Sequence, residues 1–407
     1  MSTEAVRSPH CATESLRILH VVPTYYPAVR YGGPIRSVHG LASSLAARGH
    51  DVHVYTTNVD GPGESDVPLD SPVTLNGVQI RYFRVPALRR LYWSPTLKSC
   101  LTKTIRDFDI VHLHSVYLWP TAVAARAARD ANVPYLISPR GMLVGDLIRR
   151  KSRWVKTAWI KLVEQQSLAA SAALHVTASL EAMEAGALGL RLPEIVCVPN
   201  GVDLPNDFAP LEEGPYADVP RPYVLFLSRI NWKKGLDRLI RAWRLVHNAH
   251  LVIAGNDEEN YLAKLQAMPE YAEIAERVRI IGPVSDTHKW ALYKNARAFA
   301  LPSYSENFGN VVAEAMSMAC PVVVTSEVGL ADFVRDTGAG IVCQGAPEEL
   351  GNALRQLVQD EGAGKAMGAQ GRRAVNDKLS WSAVGAEMET VYGRILQKKH
   401  SSPTANL

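Results

Sequence analysis

The sequence predicts two α/β domains, each a doubly wound parallel sheet with helices on both faces. The chain has 407 residues, enough for two or three domains that each bury a core. Short β-branched segments alternate with longer amphipathic segments, and this alternation restarts after a Pro-rich, acidic stretch. We therefore expect two separate cores with a cleft between them.

The first alternation predicts a domain over residues 16–204. LRILHVV is a buried strand candidate, and apolar residues at helical spacing from Ile35 to Leu45 predict a helix that ends at Gly49. DVHVYT alternates as the second strand, which completes a βαβ unit. Later strands are predicted at FDIVHLHS, VPYLIS, ALHVTAS and EIVCVPNGVD, with helices near residues 121–129 and 149–168.

A linker is predicted over residues 205–222, because LPNDFAPLEEGPYADVPRP has no hydrophobic period. The second domain is predicted over residues 223–378. Its strands are expected at YVLFLSR, HLVIAG, RVRIIG, AFALPS, PVVVT and GIVCQ, with helices at 235–246, 258–267, 286–295 and 310–318. Two Rossmann-like domains of this kind bind ligands where strands end and helices begin.

Composition and charge exclude several classes of protein. Lys and Arg number 44 against 40 Asp and Glu, an excess too small to indicate a nucleic-acid-binding protein. Five cysteines, never in a CxxC pair, argue against a disulfide framework or a structural zinc site and favour a reducing cytoplasm. We expect neither a membrane span nor a signal peptide.

Two carboxylates in LPSYSENFGNVVAEAM carry the sharpest signal. Glu306 lies in the loop after a strand, and Glu314 lies inside the following helix. The N–H groups of Asn310, Val311 and Val312 open that helix and are expected to point into the cleft, where they favour a phosphate. Glu306 is placed to accept hydrogen bonds from a sugar and Glu314 to hold a ribose. An ordinary surface helix with acidic early turns is the alternative.

A basic loop follows the first strand of the same domain. In SRINWKKG, Arg229 and Lys234 are candidates to clamp a diphosphate, as a counter-charge that replaces a metal for a leaving nucleotide. A solvated basic turn is the alternative, and it would be favoured if the pair stood alone. Here the pair shares a domain with the carboxylate loop.

These two segments resemble the donor site of the retaining nucleotide-sugar glycosyltransferases of the GT-B fold, family 4 (glycosyl transferases group 1). PSYSENFGNVVAEA holds two glutamates with seven residues between them, and it follows SRINWKKG in the chain, as in that family. YGGP, HLHS, VTAS, VPNGVD and LSWSAVGAEMETVY also fall in the family's order, so the resemblance covers nearly the whole chain. It implies a GT-B fold and a last helix, residues 379–397, that packs back on the first domain.

The resemblance also implies a set of site residues. Arg229 and Lys234 would bind the donor diphosphate and stabilise the leaving group, Glu306 would touch donor-sugar hydroxyls, and Glu314 would bind the ribose. Catalytic roles fall on Glu306, His114, Arg229 and Lys234. The nucleotide sugar would contact Gly32, Gly33, Arg229, Lys234, Phe308, Gly309, Asn310, Val311 and Glu314.

Further polar residues end strands of the first domain. His114 ends DIVHLHS and matches the family histidine near the donor sugar, with His112 on the same strand face as a second polar contact. Arg140 ends ISPR, in an element that only part of the family has, and we expect it to contact an acceptor or a phosphate. Asn200 and Gly201 are expected to form the turn at the interdomain hinge.

Three charged segments have competing interpretations. Residues 107–109 spell DFD, a metal-binding pattern in other glycosyltransferases, but their position predicts a helix-to-strand loop, and we expect no metal. Residues 257–259, DEE, are expected to begin a helix, where acids complement the dipole. The basic, tryptophan-bearing segment 147–162 is expected to lie on an anionic membrane surface or to form a solvated face.

The sequence therefore predicts a retaining transferase that moves a hexosyl group from a UDP- or GDP-sugar to a glycan or lipid-linked acceptor. We expect it to act in cell-surface polysaccharide biosynthesis, in the cytoplasm or peripherally on the inner face of the membrane. No cofactor and no nucleic-acid partner are expected. The alternatives are a catalytically silent GT-B partner in an assembly complex, a pyridoxal phosphate phosphorylase and a sugar-nucleotide epimerase.

Overall fold

The structure, a computed structural model, describes residues 15–401 except 29–31, 70, 144–163 and 206. The described residues form two large sheets that are mainly or wholly parallel, one in each half of the chain, and one short hairpin. The basic segment predicted over 147–162 lies outside the described residues, as does most of the helix predicted over 149–168.

The N-terminal half holds a mainly parallel sheet. Its strands are β1 (Arg17–Val21), β2 (Asp51–Thr57), β3 (Val59–Asp60), β4 (Gly63–Glu64), β5 (Val73–Leu75), β6 (Val78–Phe83), β7 (Ile110–His114), β8 (Tyr135–Ser138), β9 (Ala173–Val176) and β10 (Ile195–Cys197). Eight of them pair in the order β10-β9-β8-β7-β1-β2-β6-β5, while β3 and β4 form a short hairpin. In the eight-stranded sheet β5 alone runs antiparallel to its neighbour.

Helices cover both faces of this sheet, which confirms the doubly wound prediction. They are α1 (Gly33–Ala47), α2 (Pro95–Thr104), α3 (Trp119–Asp130), α4 (Gln165–Ala169) and α5 (Ser179–Gly186). Ile18 of β1 packs with Leu41 of α1, whereas its neighbour Leu19 packs with Leu97 of α2 and Ala124 of α3. Successive strand residues point to opposite faces, so a strand buried on both sides is apolar throughout.

The C-terminal half repeats the architecture. Its strands are β11 (Tyr223–Leu227), β12 (His250–Ala254), β13 (Val278–Gly282), β14 (Ala298–Leu301), β15 (Val322–Thr325) and β16 (Gly340–Cys343), all parallel, in the order β13-β12-β11-β14-β15-β16. Its helices are α6 (Leu236–Trp243), α7 (Tyr261–Gln266), α8 (Pro269–Ala272), α9 (Lys289–Asn295), α10 (Asn310–Ser317), α11 (Ala331–Thr337), α12 (Pro347–Gln359) and α13 (Glu361–Lys378). Residues 207–222 run along this half, and their Leu211 and Val219 are buried in its core.

The last helix, α14 (Trp381–Ser401), returns to the N-terminal half and packs on α1. Its Met388 and Tyr392 are buried in the same cluster as Leu41. Among the described residues, no helix combines the length and the apolar composition that crossing a bilayer requires.

Trp381, at the start of α14, fits between two glycines. A Cβ built on Gly40 or on Gly201 would lie 2.2 or 2.3 Å from the indole ring, so no larger residue fits at either position. The indole N–H also donates to Asp203 at 2.9 Å.

We expect Trp381→Ala to lower the free energy of unfolding by about 3 kcal/mol, because it leaves a cavity between the two glycines. Urea denaturation followed by circular dichroism measures this. Trp232→Ala, at a tryptophan that is 40% exposed, is the matched control and should cost far less. Equal losses in the two variants would contradict this account of the docking of α14.

Candidate functional site

Two loops of the C-terminal half meet where the strand order reverses, since β11 separates β12 from β14. The loop after β14 lies against the loop after β11, and the N–H of Tyr304 donates to the carbonyl of Lys233 at 2.7 Å. Gly235 has a φ of +67°, and a Cβ there would lie 1.9 Å from the carbonyl oxygen of Pro302. Only glycine allows this close approach.

Lys234 and Glu306, both predicted from the sequence, form an ion pair across these two loops. The Lys234 side chain is nearly buried. The backbone of Glu306 is also fixed, since its N–H donates to the carbonyl of Glu327 at 3.0 Å and its carbonyl accepts from Gly329 at 2.9 Å. A carboxylate held in this way can accept from sugar hydroxyls, and the ammonium beside it attracts an oxyanion.

Arg229 lies at the rim of the same site. Its side chain is 63% exposed and pairs with Glu258 at 3.1 Å, and Glu258 also accepts from Asn231 at 2.7 Å. The prediction that residues 257–259 begin a helix is wrong, because α7 begins at Tyr261, four residues after Asp257. Asp257 does serve that helix, as its carboxylate accepts from the N–H of Tyr261 at 2.8 Å.

The start of α10 offers fewer free N–H groups than the sequence predicts. The N–H of Val312 donates to the carbonyl of Gly309 at 2.8 Å, so the prediction of a free Val312 N–H is wrong. Within the described residues, Asn310 and Val311 keep N–H groups without a hydrogen-bond partner. The side chain of Phe308 is buried in the core and is not offered to a ligand.

Glu314, inside α10, is held by two residues that the sequence analysis did not identify. Lys289 donates to it at 2.7 Å and the hydroxyl of Tyr293 at 3.1 Å. Lys289 is 7% exposed and also lies 3.6 Å from Asp286. Asp286 in turn forms a two-pronged pair with Arg36 of the N-terminal half, at 2.6 and 2.5 Å, which lowers the pKa of Asp286. The ribose candidate Glu314 is thus joined to a contact between the two halves.

A chain of hydrogen bonds ends at His114 on the N-terminal side. Because arginine only donates, Arg140 Nη2 donates to His114 Nδ1 at 3.3 Å. His114 Nε2 therefore carries the proton and donates to His20 Nδ1 at 2.9 Å. Both ring nitrogens of the predicted catalytic histidine have protein partners.

A second chain holds His112. The carbonyl of Val198 accepts from His175 Nε2 at 2.9 Å, so His175 Nδ1 accepts from His112 Nε2 at 3.1 Å. His112 Nδ1 then accepts from the hydroxyl of Tyr392 at 2.8 Å. His112, like His114, is committed to partners inside the protein.

These histidines are neutral. Burial and the nearby Arg140 guanidinium lower the pKa of His20 and of His175 to about 3. Ligand atoms of His20, His112 and His114 lie within 4.8 Å of one another, a spacing that would suit a metal. Five of their six ring nitrogens, however, already have the partners described above.

Arg140 links this cluster to the other half of the chain. Its Nη1 donates to Asn200 Oδ1 at 2.7 Å, and Asn200 Nδ2 donates to Asn310 Oδ1 at 3.2 Å. Gly33 approaches the same amide, since a Cβ there would lie 2.8 Å from Asn310 Nδ2. The side chain of Asn310, at the start of α10, therefore lies beside both the predicted hinge residue Asn200 and Gly33 of the predicted phosphate loop.

A cavity of about 200 Å³ brings four of the predicted residues together. Arg140 forms part of one wall, and Arg229, Lys234 and Glu306 form part of the other. Glu314 and His114 lie outside its lining. A larger depression, of about 670 Å³, lies far from this chemistry along residues 207–212.

The DFD pattern at residues 107–109 lies between a short helix and β7. Asp107 ends a short 3-10 helix, and Asp109 Oδ2 accepts from the N–H of Arg17 at 2.7 Å. This agrees with the predicted helix-to-strand loop.

Comparison with known proteins gives two family matches. Residues 32–201 match the glycosyl transferase 4-like domain, and residues 213–374 match the glycosyl transferases group 1. The chain is 27% identical to a D-inositol 3-phosphate glycosyltransferase of Xylanimonas cellulosilytica, over 97% of this chain and 98% of that protein.

Solved structures share the fold. A sucrose-phosphate synthase from Thermosynechococcus elongatus has a TM-score of 0.72 at 18% identity, covering 94% of this chain and all of that one. The Anabaena protein HepE, in complex with UDP and glucose, has a TM-score of 0.70 at 17% identity, covering 93% of this chain and all of its own.

Proposed function

We propose that this chain, which belongs to the family 4 glycosyltransferases of the GT-B fold, moves a hexosyl group from a nucleoside diphosphate sugar with retention of anomeric configuration. The observation that carries the proposal is the Lys234 and Glu306 pair, set in the wall of a cavity together with Arg229. One cavity thereby offers cations for a diphosphate and a carboxylate for sugar hydroxyls.

The reaction needs no nucleophile from the protein. The bond between the anomeric carbon and the phosphate oxygen breaks, and the nucleoside diphosphate leaves with the electron pair, stabilised by Lys234 and Arg229. The acceptor hydroxyl attacks from the same face, and its proton passes to the departing phosphate. Glu306 orients the sugar by accepting from its hydroxyls. Because both cations supply counter-charge, we expect no metal requirement.

The donor is proposed to be a UDP- or GDP-sugar whose ribose binds Glu314. The structure of HepE holds UDP and glucose, and this supports a nucleotide sugar as the class of donor. The acceptor is proposed to be a glycan or a lipid-linked sugar of cell-surface polysaccharide biosynthesis. The enzyme would then work in the cytoplasm or peripherally on the inner face of the membrane.

A silent partner protein in an assembly complex is the main alternative. A protein that had lost catalysis would not need to keep the ion pair between Lys234 and Glu306. This chain keeps that pair and also has Arg229 and Glu314. An epimerase remains the alternative from another reaction class, and it would work without any acceptor.

The test is release of nucleoside diphosphate from a panel of UDP-, GDP- and ADP-sugars, with and without chelator. We expect release from one donor, insensitive to the chelator and faster with an acceptor. Interconversion of the donor sugar without release would favour the epimerase. Donor binding by calorimetry without turnover, across a panel of acceptors, would favour the silent partner.

A further inference from the structure

Arg140 is a partly buried cation, and within the described residues no carboxylate accepts a hydrogen bond from it. Its two terminal nitrogens donate to Asn200 Oδ1 and to His114 Nδ1, both neutral. Within the described part of the chain, no Asp or Glu lies within ion-pair distance of it. Burial lowers the pKa of Arg140 to about 10, so it is still charged at neutral pH. The Glu181 carboxylate offsets part of the cost of burial from a distance, but within the described residues no direct ion pair stabilises the guanidinium.

Most of the donors on this guanidinium are free. Arginine has five N–H groups in one plane, and two hydrogen bonds use two of them. The Nε atom is buried and has no partner. The remaining donors form the planar fork that binds a phosphate or a carboxylate through two oxygens.

The loop that carries Arg140 is fixed before any ligand binds. Glu181 is buried and accepts from the N–H of Gly141 at 2.6 Å and from the N–H of Thr177 at 2.8 Å. Thr177 in turn accepts from Asn307 at 3.0 Å, next to Glu306 in the opposite half. Arg140 therefore has a set position in the cavity that Lys234 and Glu306 also line.

We propose that Arg140 is the counter-ion for an oxyanion, a phosphate or carboxylate, that the acceptor carries into the cleft. This rests on the proposed transferase function and gives it an acceptor class. The acceptor is the source because the donor diphosphate has its own cations, Arg229 and Lys234, on the C-terminal wall. Arg140 belongs to the N-terminal wall, where the acceptor must enter beside the sugar.

The first test is calorimetric titration of inorganic phosphate into protein saturated with the nucleoside diphosphate of its donor. We expect a saturable site that Arg140→Gln weakens at least tenfold. Arg191→Gln, at an exposed arginine of the same domain, should bind as the wild type does. Phosphate binding that vanishes once the nucleotide is bound would assign the site to the donor and overturn the proposal. Equal binding by wild type and Arg140→Gln would also overturn it.

The second test compares acceptor surrogates in release of nucleoside diphosphate. A hexose 6-phosphate or a uronic acid should stimulate release at least tenfold more than the neutral hexose, and Arg140→Gln should remove that preference. If Arg140→Gln does not fold, Arg140→Lys keeps the charge, loses the fork and should bind phosphate several-fold more weakly. A preference for neutral acceptors would refute the anionic class, whereas absence of any donor turnover would instead count against the transferase itself.

Discussion

Lys234→Ala is expected to lower the rate of donor cleavage by about 10²–10³-fold, because it removes a preorganised cation from the leaving diphosphate. Lys234 is nearly buried and is held by Glu306, so its position costs no reorganisation during the reaction. The effect should fall mainly on kcat, since the leaving oxygen carries more negative charge in the transition state than in the ground state.

Glu306→Ala is expected to cause a loss of similar size, since it leaves Lys234 unpaired and the sugar unoriented. Nucleoside diphosphate release under saturating donor measures both effects. Lys264→Ala, at an exposed lysine of α7, is the control and should keep wild-type turnover. Circular dichroism of each variant separates loss of activity from loss of folding. Unchanged turnover in either Lys234→Ala or Glu306→Ala would refute the site assignment.

The fold class can be predicted from the sequence because strands buried on both faces are continuous apolar runs. VVVT at Val322–Thr325 and YVLFL at Tyr223–Leu227 are fully or nearly fully buried, and both are central to their sheet. The antiparallel edge strand Val73–Leu75 was not predicted, because three partly exposed residues give no period to detect.

Residues close in sequence were predicted more readily than pairs that meet across the cleft. The spacing of Glu306 and Glu314 is a local pattern, and it correctly marks one loop and one helix. The pairing of Arg36 with Asp286 joins residues 250 apart, and no single sequence carries a signal for it. Lys289 was missed for a related reason, since a lysine at a helix start is usually solvated, and only tertiary packing buries this one.

Acid is expected to unfold the N-terminal half well above the pH at which its carboxylates titrate. His20 and His175 have a pKa of about 3 in the folded state, and burial also holds the pKa values of His112 and His114 well below the usual 6.5. Below pH 6.5 the histidines of the unfolded chain become protonated, whereas these histidines of the folded chain stay neutral. The free energy of unfolding therefore falls as the pH drops from about 6.5 toward 3. At pH 5 His20 and His175 each cost about 2 kcal/mol, and His112 and His114 add to this loss, against a typical total of 5–15 kcal/mol.

Urea denaturation at pH 7.5, 6.5, 5.5 and 5.0, followed at the N-terminal half, measures this loss. The slope of the unfolding free energy against pH should correspond to at least two protons taken up per molecule below pH 6, from His20 and His175, and should flatten above pH 7.5, where the unfolded histidines are also neutral. His20→Gln should reduce the uptake by one proton, since His20 titrates only in the unfolded chain over this range. A free energy of unfolding that stays constant from pH 7.5 to 5 would mean that these buried histidines become protonated in the folded state. The neutral tautomers that fix His114 between Arg140 and His20 would then be wrong as well, because each chain of bonds requires one unprotonated nitrogen on every ring.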